Sequence, residues 1–272
     1  MTAPDRPAPQ RARGMARVTA RVRRGRNAIG DLAMSGSSKL LFPRATDALQ
    51  AVLLNSAGGI TGGDSFALDA GAEPGAKLAM TTQAAERIYR ALPGSEPGRL
   101  RTRLTLGPGA RLDWLPQETM LFDGSALDRG LSIDMAADAH LLACEALVFG
   151  RTAMGERVTD LRLHDRIDLR IGGALAWADR LRLHGDAAAI LARPGIADGA
   201  GAVATVIYAA PGAALQTDSL RAMLPGHAGV SALGADLLTL RILSVDAFDL
   251  KRHLGPVLRH LSGAELPRPW MI

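Results

Sequence analysis

The stretch ARVTARVR at residues 16–23 alternates apolar residues with arginine and threonine. Successive residues of an extended chain point to opposite faces. One face of this stretch would carry Ala16, Val18, Ala20 and Val22, and the other would carry Arg17, Thr19, Arg21 and Arg23. A period of two predicts a half-buried β-strand, with the arginines forming much of its solvated face.

Short runs of the same kind continue along the chain, and most are bounded by Gly, Pro, Asp or Asn, which favour turns. They cover residues 49–55, 65–69, 77–82, 99–106, 110–115, 130–135, 141–149, 158–171, 175–183, 203–208 and 237–243. Helical spacing is clearest at residues 245–261, where Phe248, His253/Leu254, Val257/Leu258 and Leu261 recur before Gly263. A second helix is predicted at residues 217–224. The pattern therefore predicts a mostly β fold of stacked or wrapped sheets with a few helices, the clearest near the C-terminus.

Composition favours one globular domain. The chain has 272 residues, of which 47% are apolar, enough to bury one large core. Residues 1–14 contain three prolines and no apolar periodicity, so we expect a flexible basic arm before a single domain at 15–272. One cysteine, Cys144, excludes an intramolecular disulfide and favours a reducing compartment. No run approaches the roughly 18 apolar residues of a membrane span, so a cytoplasmic protein is expected.

The formal net charge of +5 is concentrated at the amino terminus. Residues 1–30 carry eight arginines against Asp5, whereas the remaining residues have two more acidic than basic side chains. A basic arm attracts nucleic acid nonspecifically, so nucleic-acid binding is kept as an alternative function. No aromatic platform accompanies the arginines, which disfavours specific binding of a single strand.

Common catalytic motifs are missing from the sequence. Lys77 does not stand in a P-loop, and the glycines at 58–63 lack the Rossmann spacing. Residues 63–67 end in alanine, where a nucleophile elbow requires glycine. A hydrolase or lyase that uses paired carboxylates on a β-solenoid-like scaffold is a second alternative, with Asp165 and Asp168 as an example. On a strand these two side chains point to opposite faces, which disfavours that pair.

The segment LLNSAGGITGGDS at residues 53–65 contains two glycine pairs separated by Ile-Thr. Such spacing indicates backbone conformations that a Cβ atom would forbid. One interpretation is a tight hairpin with glycines at positive φ, in which Asn55 and Asp64 bond backbone groups at the two ends. The other is a loop that binds an anion or a partner.

This segment resembles the signature of the UreD family of urease accessory proteins, called UreH in some organisms. Five further blocks are similar to the same family, in the expected order from about residue 16 to the end. They are SGSSKLLFPR at 35–44, TTQAAERIYR at 81–90, WLPQETMLFDG at 114–124, FGRTAMGE at 149–156 and LPRPW at 266–270. An ordered set of this kind is far more specific than any single block.

The resemblance implies a non-enzymatic maturation factor with a helically wound, β-solenoid-like stack of sheets. The expected partners are a UreF-like helical accessory protein, a UreG-like GTPase and the urease apoprotein, with no membrane. No tightly bound cofactor is expected, and nickel is expected as cargo in transit through an internal tunnel. Weak oxygen or imidazole ligands suit such passage better than a closed cage, which would hold the ion.

Two sets of candidate residues follow from the resemblance. The motif residues, with structural or partner-binding roles, are Asn55, Gly58, Gly59, Gly62, Gly63, Asp64, Thr81, Thr82, Gln83, Gln117, Gly150 and Arg151. The candidate transient nickel ligands are Asp64, Glu86, Glu118, Glu145, Glu156 and His184. No catalytic residue is expected.

Overall fold

A computed structural model describes residues 10–44 and 47–271. The strands are β1 (Arg13–Arg23), β2 (Arg26–Gly36), β3 (Ser38–Leu41), β4 (Leu49–Asn55), β5 (Ser65–Ala72), β6 (Lys77–Thr82), β7 (Glu86–Ile88), β8 (Gly98–Leu106), β9 (Arg111–Trp114), β10 (Thr119–Leu121), β11 (Ser125–Met135), β12 (His140–Phe149), β13 (Leu161–Ile171), β14 (Ala174–Gly185), β15 (Ala202–Ala209), β16 (Ala228–Ala232) and β17 (Leu237–Ser244). The helices are α1 (Ala187–Leu191), α2 (Thr217–Met223) and α3 (Ala247–Ser262), with short 3-10 turns at Thr152–Met154, Ala213–Gln216 and Arg268–Trp270.

The strands form two mixed sheets. The first sheet has the order β14-β13-β11-β8-β5-β1-β2, and the second has the order β16-β17-β15-β12-β9-β6-β4-β3, with β10 and β7 added beside β12. In the first sheet β1, β5, β8, β11 and β13 are parallel, while β2 and β14 run antiparallel at its edges. From β4 to β13 the chain passes repeatedly from one sheet to the other, because parallel neighbours within a sheet cannot be joined by a hairpin and need a crossover.

Three layers bury the apolar residues. The two sheets face each other, so Val18 of β1 lies in the same core as Leu78 of β6 and Leu141 of β12. Helices α2 and α3 cover the opposite face of the second sheet, where Leu254 packs in one cluster with Val206. The sheet interior and the helix interface therefore form separate cores.

Most of the predicted elements are confirmed. Every predicted strand run overlaps a strand, the two predicted helices are α2 and α3, and the fold is mostly β. Ala16, Val18 and Ala20 are buried, the intervening Arg17 is exposed and Thr19 is half-buried. Cys144 is buried in the helix-side core, and burial raises the pKa of its thiol. The β-solenoid-like winding stays a prediction.

Four details differ from the sequence prediction. Val22 is 50% exposed at the end of β1, and Phe248 is 79% exposed, on the outer side of α3. Strands β2, β3, β7, β10 and β16 were not predicted. Strand β2 lacks alternation and is held by pairing with β1. The predicted arm ends earlier than residue 14, because Arg13 pairs with Ser65. Its residues 1–9 lie outside the described residues.

Within the described chain, no helix has the length and apolar character needed to span a bilayer.

Candidate functional site

Two strands of the first sheet and one strand of the second each carry one charged residue on an inward face that is otherwise apolar. Arg129 of β11 stands between the buried Leu127 and Leu131, and Asp165 of β13 stands between Leu163 and Ile167. Glu145 of β12 faces them from the second sheet, in an equally apolar row. The three side chains, termed here the interior ion cluster, therefore meet between the two sheets.

The interior ion cluster is joined by close hydrogen bonds. The Arg129 guanidinium donates to both carboxylate oxygens of Asp165, at 2.9 and 2.5 Å, because β11 and β13 place the two residues side by side. Its Nη1 donates to Glu145 Oε2 at 2.6 Å and to Thr119 Oγ1 at 3.2 Å. Trp114 Nε1 donates to the other oxygen of Glu145 at 2.7 Å. Each of the four carboxylate oxygens of Asp165 and Glu145 therefore accepts a hydrogen bond.

Burial and charge act in opposite directions on this cluster. Burial raises the pKa of Glu145, and the positive charge of Arg129 only partly offsets that effect. Burial also disfavours the charged form of Arg129, but the two carboxylates outweigh it and raise its pKa. With all three groups ionised, the cluster carries one net negative charge in a site of low dielectric. Such a site favours a further cation.

Two cavities flank the interior ion cluster, and Arg129 and Glu145 line both of them. The larger cavity, about 110 Å³, extends beneath β13 and β14 toward the ion pair of Asp179 with Arg241. The smaller, about 50 Å³, extends beneath β5 and β8 toward Glu86. Each exceeds the roughly 10–15 Å³ that one water molecule requires. The walls are mostly apolar, but Arg129 and Glu145 stand in both of them and offer hydrogen-bonding partners to water.

Glu86 lies at the far end of the smaller cavity, beside the end of β4. Asn55 Nδ2 donates to Glu86 Oε1 at 3.1 Å and to the carbonyl of Gly59 at 3.2 Å. Burial raises the pKa of Glu86 to about 7, although the bond from Asn55 acts in the opposite direction. This carboxyl therefore changes its protonation state near neutral pH.

Gln117 and Glu118 lie next to Glu86 and are tied to α3. Lys251 Nζ is 2.9 Å from Gln117 Oε1 and 3.0 Å from Glu118 Oε2. The backbone N–H of Glu86 donates to the carbonyl of Glu118. Gln117 Nε2 is buried and has no hydrogen-bond partner among the described residues. The structure thus groups two candidate ligands, Glu86 and Glu118, near one end of the smaller cavity.

The glycine-rich segment is not a hairpin. Strand β4 belongs to the second sheet and β5 to the first, so residues 56–64 form a crossover between the sheets. Asp64 accepts the backbone N–H groups of Thr61 and Ala12, each at 2.8 Å, and Asn55 accepts that of Ala57. The predicted bonds to the backbone are confirmed, but the prediction of strand pairing across the loop is wrong.

Gly59 has the tightest surroundings in this crossover. Its φ is +149°, and a Cβ atom would lie 2.4 Å from the Tyr89 ring and 2.6 Å from the carbonyl oxygen of Arg87. That carbonyl accepts the N–H of Ile60, which fixes the loop against β7. Gly62 is restricted in a different way, since its Cβ would meet Ser95 Oγ at 2.4 Å.

We expect Gly59→Ala to lower the free energy of unfolding by about 1 to 3 kcal/mol, because the backbone conformation and the contact with Arg87 cannot both be kept. Gly75→Ala is the matched control, since Gly75 also has positive φ but has open space at its Cβ position. Urea unfolding of both variants measures the difference. Equal losses of stability in the two variants would contradict a destabilising contact between the added Cβ atom and the Arg87 carbonyl.

The remaining motif residues have local roles. Thr82 Oγ1 accepts the N–H of Gln117, and Thr81 is buried beside it. Gln83 is exposed, and its N–H donates to the carbonyl of Leu53. Gly58, Gly63 and Gly150 have positive φ, as expected of turns.

Arg151 and Glu156 close a separate loop. Arg151 Nε donates to Glu156 Oε2 at 2.7 Å, which lowers the pKa of that carboxyl. The guanidinium lies 4.6 Å from the centre of the Phe122 ring. The other Glu156 oxygen accepts the N–H of Asp123. Neither residue lines the two interior cavities.

The structure brings only some of the candidate ligands together. Glu86 and Glu145 line one cavity, whereas His184 is exposed on the outer face of the first sheet. Asp165 points inward and Asp168 outward to Arg180, the opposite orientation that their spacing predicts. In the described part of the chain, no three His, Cys, Asp or Glu side chains are grouped to hold a metal ion.

Sequence reasoning missed Arg129, Trp114 and the inward role of Asp165. A detectable pattern was present, because each of β11, β12 and β13 has a single charge among apolar residues at alternate positions. A charge in such a row needs a partner, since an unpaired buried charge is unfavourable. The pairing itself depends on strand order, which alternation does not provide.

Comparison with known proteins agrees with the family resemblance. The profile of the family described as UreD urease accessory protein matches residues 12–271. A urease accessory protein UreD of Ruegeria pomeroyi is 50% identical over 247 residues, which cover 90% of this chain and 96% of that protein. The UreD of Sinorhizobium medicae is 43% identical over 272 residues, covering 97% and 98%. With its paired and buried carboxylates and this match over nearly its full length, the chain belongs to the UreD family of urease accessory proteins, whose members act in urease maturation and are not enzymes.

Proposed function

We propose that this protein is a cytoplasmic scaffold and nickel conduit in urease maturation. It binds a UreF-like helical accessory protein, a UreG-like GTPase and the urease apoprotein, and it passes nickel between them through the space between its two sheets. The observation that carries the proposal is the interior ion cluster, which has a cavity on each side, both lined by Arg129 and Glu145.

Glu86 and Glu145 are the proposed contacts on this route. Both line the smaller cavity, and Glu145 also lines the larger one, so an ion can move from one carboxylate to the other. Divalent nickel would displace the proton that Glu86 holds near neutral pH, because metal ligands bind in the deprotonated form. Few carboxylates spaced along a wet path release an ion more readily than a closed site.

Glu145 is also the proposed contact that the two cavities share. One oxygen of Glu145 is held by Arg129 and the other by Trp114. Nickel that crosses between the cavities therefore competes with the guanidinium for the same carboxylate. The net negative charge of the interior ion cluster supports that exchange, because Asp165 keeps Arg129 neutralised while Glu145 is engaged by the ion.

The test is nickel-dependent urease activation in cells that express the urease structural subunits and the other accessory factors. We expect Glu145→Gln to reduce urease activity about tenfold or more, the scale on which groups around a metal affect its binding. Glutamine keeps the acceptor for Trp114 but loses the charge. Glu96→Gln, a change at an exposed carboxyl, is the matched control and should leave activity unchanged.

Two further measurements separate the parts of this proposal. The purified Glu145→Gln protein should stay folded and co-elute with the UreF-like partner as before. Urea unfolding should show a loss of about 1 to 3 kcal/mol, because one amide oxygen cannot accept from both Arg129 and Trp114. Full urease activity in the Glu86→Gln variant and also in the Glu145→Gln variant would exclude the conduit. Unchanged activity after deletion of the whole gene would exclude a role in urease maturation.

A further inference from the structure

The outer face of the first sheet is rich in arginine. The outward positions of the four adjacent strands β8, β11, β13 and β14 carry three aspartates, Asp128, Asp134 and Asp168, and eight arginines, Arg99, Arg101, Arg103, Arg162, Arg166, Arg170, Arg180 and Arg182. Residues 31–272 together have an excess of acidic side chains. The positive charge of this face is therefore local to it.

A groove crosses the middle of the face. Its volume is about 470 Å³, and its floor is formed by Ala67, Gly130 and Ser132, whose side chains are short or missing. Arginines of β8, β13 and β14 stand along it, namely Arg101, Arg103, Arg166 and Arg180. On the inward side of the same strands, Leu104, Ile133 and Leu169 are part of the buried core, so the strands that carry these arginines are anchored in the fold.

Ion pairs within the face involve only three of its eight arginines. Asp128 is shared by Arg101 and Arg166, at 2.5 and 2.9 Å, and Asp168 pairs with Arg180 at 2.5 Å. No ion pair joins Arg103 to another described residue, and the same holds for three further arginines of the face, Arg99, Arg170 and Arg182. Carboxylates from another molecule can form bidentate bonds with free guanidinium groups of this kind.

We propose that this arginine-rich face, with the groove at its centre, is a docking surface for an acidic segment of a partner protein. The aspartates interspersed among the arginines fit a protein partner, whose own charges are mixed, better than the uniformly negative backbone of a nucleic acid. No Phe, Trp or Tyr lines the groove to stack on bases. The groove lies outside the two interior cavities, so the proposal does not depend on the nickel route.

The test uses a fluorescein-labelled decaglutamate peptide and fluorescence anisotropy, without nickel. The face variant is Arg103→Glu/Arg182→Glu, which reverses two exposed charges on β8 and β14 that join no internal ion pair. The control variant is Arg221→Glu/Arg252→Glu, which makes the same change in net charge on α2 and α3, at exposed positions on the far side of the second sheet. Circular dichroism checks that both variants are folded.

We expect the face variant to weaken peptide binding about tenfold or more and to flatten its salt dependence, because the lost contacts are electrostatic. The control variant should change the affinity less than twofold. Equal weakening in the two variants would overturn the proposal, since it would reflect net charge alone. Tighter binding of a 20-base-pair DNA duplex, with the same sensitivity to the face variant, would also overturn it in favour of a nucleic-acid surface.

Discussion

Replacing Arg129 by methionine should lower the free energy of unfolding by about 3 to 5 kcal/mol. The change removes the shared partner of Asp165 and Glu145 and leaves two buried carboxylates without a positive charge beside them. An uncompensated buried charge is more costly than a missing contact, because water cannot solvate it. Urea unfolding, followed by tryptophan fluorescence or circular dichroism, measures the loss.

Two further variants test whether the loss of stability comes from unpaired buried charges. Arg166→Met removes an exposed arginine from β13, next to Asp165, and should cost no more than about 1 kcal/mol. The triple variant Arg129→Met/Glu145→Gln/Asp165→Leu removes all three charges and should recover most of the lost stability, because no charge is left without a partner. Equal losses in Arg129→Met and Arg166→Met would contradict the burial of the interior ion cluster.

Stability should also depend on pH through Glu86. Its pKa is about 7 in the folded protein, against 4.5 for an unperturbed glutamate side chain. The folded state therefore binds more protons than the unfolded state between about pH 4.5 and pH 7, and stability falls as the pH rises through this window. The full effect is about 3 kcal/mol, since one pKa unit corresponds to about 1.4 kcal/mol.

Glu86→Gln isolates this contribution, because glutamine keeps the hydrogen bond to Asn55 without titrating. We expect the variant to gain up to about 3 kcal/mol over the unmodified protein at pH 8 and to match it near pH 4.5. Urea unfolding across pH 4.5 to 8 measures the difference. Glu265→Gln, an exposed control, should not change the profile. A constant difference between Glu86→Gln and the unmodified protein at every pH would contradict the raised pKa.

Local patterns in the sequence predict most strands and the main helices. The alternation at residues 16–20 fixes which side of β1 is buried, since burying Val18 means exposing Arg17. Asp246 accepts the N–H of Asp249 and Gly263 takes positive φ, so α3 begins and ends on residues typical of helix ends. These features depend on near neighbours in the chain, which a sequence displays directly.

The elements that were missed depend on distant parts of the chain. Strand β2 has no alternation and is mostly exposed, so only the register with β1 makes it a strand. The crossover at residues 56–64 was interpreted as a hairpin because glycines favour both kinds of turn. Which kind forms is decided by the sheet that β5 joins.

For the candidate site, the sequence by itself determined the family and supplied Glu86, Glu118 and Glu145 as candidates. The tertiary structure decided which charges meet. Arg129 and Asp165 are 36 residues apart and touch because β11 and β13 are parallel neighbours. Glu145 reaches them only because the second sheet packs against the first. Electrostatic interactions depend on distance in space and on burial, and neither quantity is a property of local sequence.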